Sequence, residues 1–182
     1  MIDPRRRSFL RGRIAAAAAP QPPAVQRPPW AIAEARFTEL CTRCHACVEA
    51  CPRGVLKLGD GGFPEVSFIA QGCDFCGACE PACKPRALNR RAADAMPGDD
   101  PYAAWPGWGV HIAEHCLALQ KVECRICADA CAPRAIRFRP APGGISQMRL
   151  DLSACTACGE CVAVCPVGAA RVLRIPEAPP AY

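Results

Sequence analysis

Large side chains are scarce in this chain. Aromatic residues make up 6% of its 182 residues, too few to fill a conventional core. No apolar run approaches the roughly 20 residues that a membrane-spanning helix needs. There is no Gly-rich nucleotide fingerprint, no Ser–His–Asp order and no paired-carboxylate pattern. Without a substrate site the chain reads as a non-enzyme, a redox or assembly element rather than a complete catalyst. Basic excess is also local. Formal net charge is +5, and Arg5, Arg6, Arg7, Arg11 and Arg13 stand against Asp3 alone in the first thirteen residues. That pattern is a basic arm and not a nucleic-acid surface.

What the chain has in quantity is cysteine, 16 residues at short, repeated spacing. Disulfide scaffolds belong to secreted chains and seldom repeat C-x2-C pairs, which are metal or redox motifs. Metal ligation therefore leads, and the thiols must be free in a reducing compartment when metal is inserted. Cys41, Cys44, Cys47 and Cys51 with Pro52 form C-x2-C-x2-C-x3-C-P, the bacterial ferredoxin run that holds [4Fe–4S] clusters. Cys155, Cys158, Cys161 and Cys165 with Pro166 repeat it in full. Cys73, Cys76, Cys79 and Cys83 keep the spacing but delay the proline to Pro85. Cys116, Cys124, Cys127 and Cys131 widen the first gap to seven residues and delay the proline to Pro133. The widened motif departs furthest, so the expected complement is three to four [4Fe–4S] clusters.

Three thiolates on a tight loop wrap three corners of a cubane, and the fourth, expected to open a helix, points elsewhere. In two-cluster ferredoxins it ligates the other cluster. The crossed sets are then Cys41, Cys44, Cys47 with Cys83; Cys73, Cys76, Cys79 with Cys51; Cys116, Cys124, Cys127 with Cys165; and Cys155, Cys158, Cys161 with Cys131. If each motif closed its own cluster, the same sixteen ligands would serve in a different pairing. Four zinc–thiolate sites are the alternative, but zinc ribbons separate their C-x2-C pairs widely. His45 sits in a loop with sufficient cysteines and reads as a solvent-facing tuner. His115, beside Cys116, is a weaker substitute ligand, and His111 has no motif around it.

The expected fold is α+β, two tandem units like bacterial two-cluster ferredoxins, with short helices and β-hairpins around Fe–S clusters. Residues 1–40 form a basic arm and a Pro-rich linker, largely unstructured, with a short helix over 32–40 that turns Phe37 and Leu40 to the first cluster. Residues 41–90 are the first unit, 91–115 a connector whose prolines and glycines break regular structure, 116–175 the second unit and 176–182 a disordered tail. Each unit has a Gly-containing turn, at Gly61 and Gly143, twelve residues before the next cluster loop. A β-hairpin is expected at each. Units of about 50–60 residues bury roughly 60% of their unfolded surface and need a staple beyond the core. Tyr102, Trp105 and Trp108, concentrated in the connector, read as packing between units ahead of a docking surface.

The arm admits two readings. Arg6-Arg7-Ser8-Phe9-Leu10-Arg11 looks like a twin-arginine export signal, but the apolar stretch 14–19 has six residues, short of the roughly 7–15 of a secretory core. The other reading is a basic arm that contacts a partner.

Arg5-Arg6-Arg7-Ser8-Phe9-Leu10, Arg27-Pro28-Pro29-Trp30, Cys41-Thr42-Arg43-Cys44 and the widened run from Cys116-Leu117-Ala118 to Val122-Glu123-Cys124-Arg125 resemble the NapF family, the ferredoxin-type proteins of the periplasmic nitrate reductase system. The resemblance covers roughly residues 3–175. It implies a cytoplasmic protein that assists Fe–S loading of the catalytic subunit NapA before export, with no nucleic-acid partner. An electron-carrier polyferredoxin subunit of a redox complex is the alternative. The delayed prolines depart from the pattern in turn shape, not in ligands.

Overall fold

The computed structural model describes residues 25–90, 104–141, 144 and 146–175. The basic arm, residues 91–103 and the C-terminal tail lie outside the described residues, as do Tyr102 and Gly143.

The chain enters as Pro28-Pro29-Trp30, all buried. Part of the expected linker is therefore packed structure. Arg27 explains the anchoring. Its guanidinium donates to the Glu34 carboxylate at 2.6 Å and to the Pro64 carbonyl at 3.3 Å, and lies 5.2 and 5.4 Å from the ring centres of Phe37 and Phe63. Helix α1, Glu34–Leu40, follows, with Phe37 as its one buried residue.

Each of the four cysteine motifs contains a single helical turn: α2 (Ala46–Glu49), α3 (Cys79–Ala82), α4 (Ile126–Asp129) and α5 (Glu160–Ala163). The third cysteine of each run sits in the turn and the fourth follows it. The expectation that the fourth cysteine opens a helix is reversed: the helix ends before Cys51, Cys83, Cys131 and Cys165. A turn this short makes few intrahelical bonds, so it persists through tertiary packing.

Between the motifs of the first half, β1 (Leu56–Leu58) pairs antiparallel with β2 (Pro64–Val66). In the second half, β4 (Ile136–Arg139) pairs with β5 (Gln147–Leu150) in the same way. These are the two expected hairpins. A further ribbon was not expected. Within the connector, β3 (Trp108–Ile112) pairs antiparallel with β6 (Ala170–Arg174), Trp108 opposite Arg174 and Ile112 opposite Ala170. Pro106 and Gly107 end before the strand, so they bound it rather than break it. The first half repeats the arrangement in reduced form, as a bridge between Ala31 and Leu88.

One core gathers Trp30, Phe37, Val55, Leu56, Phe68, Leu88 and Trp105, and a smaller one gathers Val110, Ile136 and Ala170 with Cys127 and Cys161. Trp105 meets Phe68 edge-on at 6.0 Å and Phe75 at 5.6 Å, and its indole N–H donates to the Arg27 carbonyl at 2.8 Å. Among the described residues no helix is long and apolar enough to cross a membrane.

Candidate metal centres

The short helices and hairpins bring the cysteines together in fours. Cavity one is lined by Cys41, Cys44, Cys47 and Cys83, with Phe37 and Leu88 behind them. Cavity two is lined by Cys51, Cys73, Cys76 and Cys79 against Val55 and Leu56. Cavity three has Cys116, Cys124, Cys127 and Cys165 beside Ile112 and Ile126. Cavity four has Cys131, Cys155, Cys158 and Cys161 beside Val110 and Ile136. The fourth cysteine of each run thus lines its neighbour's cavity. The cause is the single helical turn, which carries the chain from one cavity to the next.

The donor sets can be tested against the two metals. Tetrahedral zinc with Zn–S near 2.3 Å draws its four sulfurs to within about 4 Å of one another. Among the described residues, no group of three His, Cys, Asp or Glu is placed to hold a single metal ion. Four thiols set round one recess walled by apolar side chains fit a multi-iron cube held between them. All sixteen thiols are free.

Protonation follows depth. Burial pushes the Cys47 and Cys127 thiols up to about 11, and Cys73, Cys79 and Cys161 up to about 12. Cys158 is raised for the same reason. Exposed Cys44 is lowered by the Ala46 backbone N–H and then by the Thr42 side chain. At Cys165 burial acts upward, but the backbone N–H groups of Ala170, Val167, Ala169 and Gly168 outweigh it.

Those N–H groups are aimed by backbone conformation. The middle cysteine of three loops is flanked on both sides by left-handed residues: Arg43 and His45 around Cys44, Phe75 and Gly77 around Cys76, Ala157 and Gly159 around Cys158. Successive turns of this kind direct amides inward at the sulfurs. The Phe75 N–H donates to Cys73 Sγ at 3.4 Å and the Ala169 N–H to Cys165 Sγ at 3.2 Å. The widened loop lacks the arrangement. Arg125 has φ −140°, and the left-handed residue is Lys121, further upstream.

His45 therefore occupies a backbone slot that two sister loops give to glycine, and it is half-buried in the wall of cavity one. His115 and His111 are exposed and line none of the four cavities. Leu40 packs beside the first core, and only Phe37 of α1 reaches cavity one. Sequence reading missed the residue after the first cysteine. Thr42 and Thr156 act on Cys44 and Cys158 through their side chains, and Asp74 accepts from the Cys76 N–H at 3.1 Å. A short polar side chain at that one position in three runs was the available signal.

Paired four-cysteine cavities, joined by short helices with backbone amides turned to sulfur, define an iron–sulfur protein of the ferredoxin type. A family model described as a 4Fe-4S dicluster domain matches residues 40–87 and again 122–169, so the domain is present twice. The second match begins after Cys116, which the structure nonetheless places in cavity three. The chain is 41% identical to ferredoxin-type protein NapF of Escherichia coli K12 over 92% of its own length and 93% of that protein. It is 38% identical to NapF of Haemophilus influenzae over 90% of each. With the methylamine utilization ferredoxin-type protein MauM of Methylobacillus flagellatus it shares 33% identity over 93% of its own length and 74% of that protein. The chain belongs to the NapF family of ferredoxin-type proteins. No solved structure matches it.

Proposed function

We propose that the chain is a polyferredoxin of two tandem two-cluster units, with a [4Fe–4S] cluster in each four-cysteine cavity. We further propose that it works in the cytoplasm on the catalytic subunit NapA of the periplasmic nitrate reductase, assisting the Fe–S loading of that subunit before export. The observation that carries the cluster reading is the division of sixteen cysteines into four crossed sets of four. What supports the partner is similarity to NapF proteins over nearly the whole of both chains.

Bound there, a [4Fe–4S] cluster supplies one-electron storage within a span of about −700 to +450 mV. This chain's residues do the rest. The sixteen thiolates hold the irons. The left-handed loops present amides to the sulfurs, which tunes the potential. Phe37, Leu88, Val55, Ile136 and Val110 keep water from the inner faces, while exposed Cys44 and Cys76 leave the first two sites open to solvent at one edge. The functional units are residues 41–90 and 116–175, with 91–115 joining them, and the arm of 1–40 is a contact element for the partner. The protein has no catalytic residues of its own.

The test is co-purification with the NapA precursor from cytoplasm, with iron counted on both proteins. The maturation role requires complex formation and an iron-deficient reductase when this chain is deleted. A fully loaded reductase starved of electrons would instead identify an electron carrier within a redox complex. That second reading draws on similarity to a protein named for methylamine utilization, since the same architecture then serves more than one system.

A further inference from the structure

The two halves meet where their inner cavities approach. The Cys73 N–H donates to the Cys158 carbonyl at 2.7 Å. Cys73 lines cavity two and Cys158 lines cavity four, so one hydrogen bond joins the backbones of two residues that belong to different cysteine sets in different halves. Glycine on both sides permits it. A Cβ on Gly72 would lie 2.5 Å from the Glu160 nitrogen and 2.7 Å from the Cys158 oxygen, and one on Gly159 would fall within the Phe68 ring. Arg53, two residues after Cys51, closes the seam. Its Nε donates to the Gly72 carbonyl at 3.1 Å and its Nη2 to the Glu160 carboxylate.

Within each half, neighbouring cavities already share helical turns. Helix α2 carries Cys47 of cavity one and leads to Cys51 of cavity two, and α3 carries Cys79 of cavity two and leads to Cys83 of cavity one. Helices α4 and α5 link cavities three and four in the same way. The sites therefore run in the order one, two, four, three, with the seam at the centre.

We propose that the Cys73–Cys158 seam is an electron junction that joins the inner clusters of the two halves into one four-site relay, with Arg53 and Glu160 as its positioning residues. The proposal rests on the four-cluster reading. The path runs from Cys73 Sγ through its side chain and amide, across one hydrogen bond, and through the Cys158 carbonyl and side chain to Sγ. In the step, a reduced inner cluster loses one electron and returns to its oxidised state, and the oxidised inner cluster of the other half gains that electron. No bond breaks and no proton moves. A low-potential one-electron carrier fills the relay at one end, and a one-electron acceptor drains it at the other. Two independent ferredoxins on one chain would need surface packing, but no bond between cysteine backbones.

The test uses the full-length chain, purified without oxygen and reduced with dithionite, read by electron paramagnetic resonance, redox titration and iron analysis. The wild type should show magnetic coupling across the seam in addition to the coupling inside each half. Arg53→Met and Glu160→Gln should weaken the seam coupling and shift the potentials of the inner pair alone. Arg53→Lys, which keeps the positive charge and a donor at the seam, should retain coupling, and Gly72→Val, which wedges the seam, should abolish it. Unchanged coupling and potentials in Gly72→Val at full iron content would overturn the relay. So would iron loss in every seam variant, because the seam would then be structural only. A wild type with full iron but no coupling across the seam refutes the relay alone, whereas a wild type without cubane clusters refutes the four-cluster reading beneath it.

Discussion

After the fourth cysteine of every motif the chain makes a turn that ends on a left-handed residue: Gly54 at φ 61°, Arg86 at 58°, Arg134 at 54° and Gly168 at 62°. The N–H of that residue donates to the cysteine carbonyl at 3.1, 3.0, 2.9 and 3.3 Å in chain order. Two turns use glycine and two use arginine on nearly the same backbone, so exchanging them isolates one physical term. A side chain in the left-handed region costs about 1–2 kcal/mol, and glycine's extra freedom in the unfolded chain costs about 0.5–1 kcal/mol. Glycine should win by about 0.5–1 kcal/mol. Packing does not disturb the comparison. Nothing lies within 4 Å of a Cβ built on Gly168, and the Arg86 and Arg134 side chains are exposed. Arg134→Gly should therefore raise the melting temperature and Gly168→Arg lower it, each by about 1–4 °C for a chain of this size. The assay is thermal melting of the iron-loaded chain by circular dichroism without oxygen, at one scan rate, because irreversible unfolding makes the midpoint rate-dependent. A drop of that size in Arg134→Gly, with iron unchanged, would refute the strain argument.

Other expectations follow from single contacts. Cys116→Ser and Cys165→Ser should each remove about four irons per chain, and by spectroscopy both should empty the same site although they lie in different motifs. Loss of the Cys155, Cys158 and Cys161 site in Cys165→Ser would contradict the crossing. Phe37, 1% exposed, sits beneath the Arg27 guanidinium and behind cavity one. Phe37→Ala should cost about 3–5 kcal/mol, and a melting temperature within a degree or so of wild type would count against its place in the core. In the cluster-free chain, Cys47, Cys73, Cys79, Cys127 and Cys161 have thiol pKa values raised from 9.0 to about 11 or 12. The folded state keeps protons that the unfolded chain releases, so their contribution is complete below pH 9 and is lost as pH climbs through the raised values. The urea midpoint of the cluster-free chain should fall as pH rises from 9.0 to about 11; a flat or rising midpoint would contradict the burial of those thiols.

Much of this architecture was legible because cysteine spacing is a local code. The three-residue last gap marked a change of direction after the third cysteine, but the helical turn was expected after the fourth cysteine and lies before it. Both hairpins were marked by glycine between apolar stretches. The parts that escaped are non-local or carried by unexpected residue types. Arg53 and Glu160 are 107 positions apart, and no local pattern announces their contact. Strand β3 lay in a stretch whose prolines and glycines argued against regular structure, and it forms because Ala170–Arg174 pairs with it. The left-handed slots were hidden where His45, Arg86 or Arg134 fills a position that sister loops give to glycine, and before the middle cysteine, where Arg43, Phe75 and Ala157 stand and no loop has glycine. The widened third motif looked irregular by count, yet Cys116 lines cavity three together with Cys124, Cys127 and Cys165.

The reading of sixteen cysteines as four cubane sites stands or falls on metal content. Iron, inorganic sulfide and zinc measured together on the anaerobically purified full-length chain test it most directly. Four cubanes require about 16 irons and as many sulfides per chain, about four of each in every cavity, with a broad absorbance at roughly 400 nm and no stoichiometric zinc. About four zinc ions per chain with neither sulfide nor that absorbance would contradict it.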